Sequence, residues 1–247
     1  MTKPIVWGSV MSQPTRAVLW TALLSRVEID FRPIDTGKGD HLTPEFLKLN
    51  PNKKFPVVQD GNFVLHESHA IMKYLLEKYA PADVREQLYP PSDLEARSRI
   101  DTWLDWKHNF LRPGACGLIR RRVMRHLLPD VSKHSMVWDL KEIPAEREER
   151  MLLDSLKVMD DQIAAGSYIA GTNSASLADI ALFTEISQLD LLPQDVSPPH
   201  GCDFSKDFPN VHAWSQRLRA LEGYETIISG FTRAQPKVEA LRSQGKL

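Results

Sequence analysis

The sequence predicts two domains in succession, an α/β domain with a small mixed sheet and then an all-helical domain. Strand-like and helix-like segments alternate up to about residue 80, whereas beyond residue 93 apolar residues recur at helical spacing only. Between these regions, residues 81–92 contain three prolines and have no periodicity, so we predict that they form the linker.

The first domain is predicted to have the order β-α-β-α-β-β-α. Ser12, followed by Gln13-Pro14, is a typical N-cap for the apolar helix that runs to Leu24. Asp60-Gly61 separates two β-type runs and is predicted to be the turn of an antiparallel hairpin. This order gives a mixed four-stranded sheet with helices packed on it. The predicted strands are 5–7, 27–31, 55–59 and 62–66, and the predicted helices are 12–24, 44–50 and 68–79.

The second domain contains one unusually apolar helix. Ser176 and Asp179 form a capping box of the S-x-x-D kind, and the segment that follows is apolar on nearly all sides through Leu189. A helix of this kind is expected at the centre of a bundle. Residues 211–221 are predicted to form an amphipathic helix, and residues 193–201 a loop.

Composition and charge exclude several classes of function. Thirty-one Lys and Arg residues balance 32 Asp and Glu residues, which argues against nucleic-acid binding by broad phosphate neutralisation. Two cysteines, Cys116 and Cys202, are too few for a disulfide scaffold and form no C-x-x-C pair. No signal peptide and no apolar run long enough to span a membrane is apparent. We therefore expect a cytoplasmic protein that binds neither nucleic acid nor membrane.

A proline opens the first strand of the hairpin, in Phe55-Pro56-Val57. Proline cannot donate to a sheet ladder, so Pro56 must lie at an edge or a special bend. We predict a cis peptide bond between Phe55 and Pro56, which would turn the backbone of Phe55 outward to pair with an extended ligand. An ordinary edge proline is the alternative.

The second hairpin strand meets a helix at Glu67-Ser68. The free amides and positive dipole end of this helix, together with the Ser68 hydroxyl, would bind a carboxylate. Glu67 would pair with an ammonium group. A ligand with both groups at one end is an amino acid, and the alternative is a simple helix cap.

Several ordered segments resemble the cytosolic glutathione transferases. NPNKKFPVVQDGNFVLHESHAIMKYL is similar to the glutathione-binding segment of that family, and YIAGTNSASLADIAL to the central helix of its second domain. SQPTRAV, GKGDHL and LYPPSDLEARSRIDTWLDWKHNFLRP resemble the theta class in particular. The resemblance implies a thioredoxin-like glutathione-binding domain at 1–80, the linker at 81–92, and a helical domain at 93–247 that carries the electrophile pocket.

The resemblance also implies roles for individual residues. Ser12 matches the activating hydroxyl of the family. Asn109 and Arg112 fall where theta enzymes have polar residues near the subunit interface, although Asn109 replaces an acid. Five further positions match glutathione-binding residues: Glu67 and Ser68 at the γ-glutamyl end, Phe55 at the cysteinyl backbone, and His41 and Lys54 at the glycine carboxylate.

Other candidate sites have weaker support from the sequence. His66 and His69 lie on a strand and a helix respectively, with no further Cys/His cluster near them, so no metal site is predicted. Ser12 is not in a G-x-S-x-G elbow, and Cys116 is predicted to be a packing residue. The basic cluster of Arg120, Arg121, Arg122 and Arg125 is either a solvated face or a lining of the electrophile pocket that favours anionic substrates.

The sequence therefore predicts a homodimeric theta-like glutathione transferase. Glutathione would be its co-substrate, small electrophiles its second substrates, detoxification its role, and peroxide reduction a side activity. One alternative is a non-catalytic assembly or regulatory module with the same fold, since unrelated functions share folds. A glutathione-dependent thiol oxidoreductase is a third, but that chemistry requires a cysteine near residue 12.

Overall fold

A computed structural model of the protein describes residues 3–127, 143–192 and 203–245. A four-stranded mixed sheet with helices lies in the N-terminal part, and the described residues that follow it are helices and connecting turns. The predicted fold class is therefore confirmed. The strands are β1 (Ile5–Gly8), β2 (Asp30–Pro33), β3 (Val57–Asp60) and β4 (Phe63–His66), and the helices of this part are α1 (Gln13–Leu24), α2 (Pro44–Leu49) and α3 (Ser68–Tyr79).

The sheet has the strand order β2-β1-β3-β4. β2 is parallel to β1, β3 is antiparallel to β1, and β4 is antiparallel to β3. The carboxyl ends of β1, β2 and β4 and the amino end of β3 therefore meet at one edge of the sheet. We call this the ligand edge.

The strand predicted at 27–31 begins later, at Asp30. Val27 is part of the capping turn that follows α1, because its N–H donates to the carbonyl of Ala22 at 2.8 Å. Arg26 has a φ of 55° and donates to Leu23 at 2.9 Å, which completes a Schellman motif. This motif holds the chain in a turn at Arg26 and so delays the strand.

The hairpin is antiparallel as predicted, but its two-residue turn is Gly61-Asn62, because Asp60 pairs with Phe63. Gly61 has a φ of 60°, a conformation that favours glycine. The Asp60 carboxylate contacts α3: it accepts hydrogen bonds from Tyr74, Lys78 and Tyr79 of that helix. Asp60 therefore ties the hairpin to this helix.

The predicted linker, 81–92, contains helix α4 (Ala82–Leu88). Pro81 is its N-cap, and Val84 and Leu88 are buried. Pro81 precedes this short helix, and Pro90 and Pro91 follow it, so none of the three interrupts it. The absence of an apolar periodicity in 81–92 therefore did not mean that the segment is irregular.

A long helical segment begins the C-terminal part. It consists of α5 (Leu94–Trp106), α6 (Arg112–Ile119) and α7 (Arg125–Leu127), joined by π-helical turns at Lys107–Leu111 and Arg120–Met124. The predicted loop at 193–201 lies outside the described residues. The remaining helices are α8 (Ala145–Ala164), α9 (Leu177–Ile186), α10 (Phe204–Asp207), α11 (Pro209–Arg219), α12 (Tyr224–Thr232) and α13 (Gln235–Ser243), with a 3-10 segment at Ser187–Leu191.

Helix α9 is the central helix that the sequence predicts, with all ten of its residues buried. The capping box of Ser176 and Asp179 is present. The Asp179 carboxylate also accepts from the amide of Ile169 at 2.9 Å and from the indole of Trp214 at 2.7 Å. It thus joins the start of α9 to the preceding loop and to α11.

Helices α6 and α8 cross at very close range, and Gly114 makes this possible. A Cβ at Gly114 would lie 2.5 Å from the Leu152 amide nitrogen and 2.8 Å from the Glu148 carbonyl oxygen. Both are backbone atoms of α8, which cannot move aside as a flexible side chain would.

We expect Gly114→Ala to destabilise the protein by about 1–3 kcal/mol, because over-packing forces the backbone of the two helices apart. The measurement is the denaturant midpoint. Gly166→Ala is the matched control, since its Cβ would meet its nearest neighbour, the Gly171 Cα, at 3.7 Å. Equal midpoints for the two variants would contradict this account of the α6–α8 contact.

Candidate active site

Four chain segments that carry the predicted site residues meet at the ligand edge. Ser12 follows β1, His41 follows β2, Phe55 precedes β3, and Glu67-Ser68 follows β4. Strand direction alone brings these segments together, although they are up to 56 residues apart in sequence.

Ser12 is the N-cap of α1, but its side chain makes no capping hydrogen bond. Its backbone N–H donates to the Ser9 carbonyl at 2.9 Å, which closes the turn of residues 9–12. The Ser9 hydroxyl accepts from the amide of Met11 at 3.4 Å, a long contact inside the same turn. Ser12 is half-buried, so its hydroxyl is available at the end of a helix whose dipole favours an anion.

Glu67 and Ser68 lie at the N-terminus of α3. Glu67 is exposed and has a φ of 73° and a ψ of 113°, an unfavourable conformation for a residue with a side chain. Such strain clusters at ligand sites. Ser68 is the first residue of this twelve-residue helix. The junction thus combines an exposed carboxylate with the free amides and the hydroxyl of a helix start.

The segment before β3 carries the predicted cis peptide bond, between Phe55 and Pro56. The Phe55 ring packs edge-on against the ring of buried His41, with 6.4 Å between centroids. Lys54 is exposed, and its carbonyl accepts from the Asn50 side chain at 2.7 Å. His41 and Phe55 therefore contact each other at the ligand edge, and Lys54 precedes Phe55 in the chain.

The C-terminal part approaches Glu67 through the first π-helical turn. The ring of His108 lies 4.5 Å from that of His69, and burial lowers the pKa of both histidines, His69 the further. The charge of Glu67 acts on His108 and on Arg112. Within the described ranges, no group of three or more His, Cys, Asp and Glu side chains is placed to hold a metal ion.

A buried polar network that the sequence analysis did not predict begins next to Ser12. The Gln13 side chain donates to Gln188, and Gln188 donates to the Glu185 carboxylate at 2.9 Å. Glu185 also accepts from Arg112 at 2.8 Å and pairs with fully buried Lys107 at 3.2 Å. Burial raises the pKa of Glu185, but the charges of Arg112 and Lys107 outweigh it, so the net shift is downward.

Two arginines of the basic cluster form ion pairs with carboxylates of α8. Arg121 forms a two-pronged pair with Glu148, and Arg122 pairs with Glu149. Arg120 is half-buried, and its charge acts on buried Cys116, whose thiol pKa is raised by burial. A raised pKa disfavours a thiolate, which agrees with the predicted packing role of this cysteine.

Comparisons with known proteins decide the family. The model of the glutathione S-transferase N-terminal domain matches residues 3–77, and that of the C-terminal domain matches residues 144–217. Human glutathione S-transferase theta-1 is 31% identical over 93% of this chain and 92% of its own. The chain belongs to the glutathione S-transferase family.

Further relatives agree with a theta-class transferase. The theta-1 enzyme of Bos taurus is 32% identical over 87% of this chain and 81% of its own length. The structure of human glutathione transferase theta-2 in complex with glutathione has a TM-score of 0.77 and 27% identity, covering 98% of this chain and 91% of that chain. Glutathione S-transferase T2 of Arabidopsis thaliana is 36% identical, but the matched region is only 30% of that longer protein.

The predicted family, fold class and transferase function are thereby confirmed. The ligand edge is the edge of a thioredoxin-like domain in a glutathione S-transferase. No helix in residues 3–127, 143–192 or 203–245 is long and apolar enough to cross a membrane.

Proposed function

We propose that the protein conjugates the glutathione thiolate to small electrophiles at the ligand edge. One observation carries this proposal. The Ser12 hydroxyl, which makes no capping hydrogen bond, lies at the same edge of the sheet as Glu67 and Ser68 at the start of α3. One segment suits a thiolate and the other an amino acid, and glutathione has both groups.

Each binding residue has a role that its surroundings support. Glu67 pairs with the γ-glutamyl ammonium group, while Ser68 and the first amides of α3 bind the adjacent carboxylate. The Phe55 backbone pairs with the cysteinyl part of the ligand. His41 and Lys54 lie near the glycine carboxylate, where the positive charge of Lys54 suits an anion.

Ser12 stabilises the thiolate by donating a hydrogen bond to the sulfur. A thiol with a pKa of about 8.5 is mostly protonated at neutral pH, and the thiolate is the reactive form. A serine hydroxyl is too weak a base to remove the proton, which therefore leaves to solvent. The sulfur then forms a bond to the electrophilic carbon, and the leaving group departs with its electron pair.

The domain division follows the same logic. Residues 1–80 bind glutathione, residues 81–92 connect the domains, and residues 93–247 supply the electrophile pocket.

A homodimer is supported by aromatic side chains at the surface, since Phe63 and Phe110 are 47% and 52% exposed. Detoxification in the cytoplasm suits a transferase with a broad range of electrophiles.

A panel assay with glutathione tests this function. Alkyl halides, aryl halides, epoxides and sulfate esters would report conjugation, and hydroperoxides would report a side activity in which two glutathione molecules are oxidised to the disulfide while the hydroperoxide becomes an alcohol and water. Conjugation of one class or more supports the proposal. Calorimetric binding of glutathione without turnover of any electrophile would favour the non-catalytic module instead.

A further inference from the structure

Arg16 is a charged side chain in the centre of the molecule. It lies on α1, one turn after Ser12, and is 0% exposed. Its Nη1 donates to the carbonyls of Val10 and Met11 at 3.0 and 3.2 Å, and its Nη2 donates to the carbonyl of Thr184 in α9 at 3.2 Å. The guanidinium thus holds two successive carbonyls of the Ser12 turn.

No carboxylate of the described residues forms an ion pair with Arg16. The carboxylate whose charge acts on it is that of Glu185 in α9, which is already engaged by Lys107 and Arg112. Burial lowers the pKa of Arg16 to about 10, with Glu185 and Tyr224 of α12 opposing the shift, so the group is charged at neutral pH. Burying a charge without a paired ion is costly, and such a charge calls for an explanation.

Helix α12 closes the other side of this arrangement. The Phe231 ring lies 4.3 Å from the Arg16 guanidinium carbon, a cation–π contact in a buried setting. A Cβ at Gly230 would lie 2.7 Å from a methyl carbon of Val10, so α12 packs directly on the turn. The turn is therefore held by Arg16 of α1 on one side and by α12 on the other.

We propose that Arg16 is a positioning residue for thiolate formation, which fixes the Val10-Met11 carbonyls inward so that Ser12 is presented to the glutathione sulfur. The two carbonyl oxygens accept from Arg16, and its charge neutralises the negative ends of their dipoles. The anion that this unpaired cation favours is the thiolate. The proposal rests on the proposed role of Ser12.

Arg16→Met tests the proposal, because methionine keeps much of the apolar stem but removes the charge and the donors. We expect kcat at neutral pH to fall about tenfold, which corresponds to a rise of about one unit in the pKa of bound glutathione. The KM for glutathione should change less than threefold, and the acidic limb of the pH profile should move to higher pH. Arg16→Lys keeps the charge but cannot reach three carbonyls, so it should restore part of the loss.

Trp20→Phe is the matched control on the same helix. Trp20 is also fully buried and contacts α9 and α12, but the hydrogen bond of its indole goes to the Glu222 carbonyl, at 2.9 Å, and not to the Ser12 turn. We expect this variant to lower stability and leave the pH profile unchanged. Phe231→Leu removes the aromatic ring that contacts the guanidinium and leaves Arg16 in place. It should shift the pH profile less than Arg16→Met does, and it replaces Arg16→Met in the test if Arg16→Met does not fold.

The outcomes separate this proposal from the proposed function. If the wild-type protein does not conjugate glutathione, the function itself fails. If it does, and Arg16→Met keeps the wild-type pH profile, Arg16 is only a structural residue. Where Arg16→Met does not fold, wild-type profiles in both Arg16→Lys and Phe231→Leu lead to the same conclusion. A shift of equal size in Trp20→Phe would also overturn the proposal, because any loss at this interface would then have the same effect.

Discussion

Replacing Ser12 with alanine is expected to lower turnover at neutral pH by about tenfold or more, with glutathione affinity and folding largely retained. One charge-assisted hydrogen bond to the sulfur corresponds to a thiol pKa lowered by about one to two units. Because the variant raises the pKa of the bound thiol, the difference in turnover between the variant and the wild-type protein is greatest below that pKa. The difference becomes smaller as the pH rises. Steady-state rates from about pH 6 to about pH 9 measure this.

Ser9→Ala is the matched control for this prediction. Ser9 lies in the same turn and carries the same hydroxyl, but Ser12 and not Ser9 is the N-cap of α1, where the helix dipole acts. We expect it to keep most of the activity at every pH. If Ser9→Ala loses the activity and Ser12→Ala retains it, the assignment of the activating hydroxyl is wrong.

Glu67→Gln is expected to weaken glutathione binding by about tenfold or more, because hydrogen bonds to charged groups contribute about 1.5–3 kcal/mol. The variant keeps the shape of the side chain and removes the charge that pairs with the ammonium group. Ser68→Ala should have a smaller effect, since the helix amides continue to bind the carboxylate. Calorimetric titration with glutathione measures both.

Glu28→Gln is the matched control, because it removes an exposed carboxylate that lies outside the proposed glutathione site. Glu28 pairs with Lys3 at the surface and lies outside the ligand edge, so its removal should leave glutathione affinity unchanged. Wild-type affinity in both Glu67→Gln and Ser68→Ala would place the glutathione site elsewhere on the molecule.

Much of the fold could be predicted because local signals were strong. Apolar periodicity, the Ser12-Gln13-Pro14 start and the capping box at Ser176 each correspond to a structural feature that forms as expected. The errors arose where individual hydrogen bonds, one set tertiary and one local, determined the structure. Hydrogen bonds from α3 hold the Asp60 side chain, and the Schellman motif at Arg26 delays β2, and neither contact is visible in a periodicity.

The site was predictable only at the ends of strands. Ser12, Phe55 and Glu67 lie beside turn and helix signals, but their convergence depends on the strand order. Arg16 and Glu185 were missed because each side chain also meets a group far away in sequence: Arg16 donates to Thr184, and Glu185 pairs with Arg112. A usable signal was present nonetheless: Arg16 opens the apolar run RAVLWTALL, and Glu185 is the second acid of a helix whose other residues are almost all apolar. A charge in such a segment is buried and needs partners.

The most direct test of the account is the pKa of glutathione bound to the wild-type protein, measured by the ultraviolet absorbance of its thiolate across a pH titration. The account predicts a value at least one unit below the free thiol's, which is about 8.5, and a return toward the free value in Ser12→Ala. A bound thiol that titrates like free glutathione, or a lowered value that Ser12→Ala leaves unchanged, would contradict it.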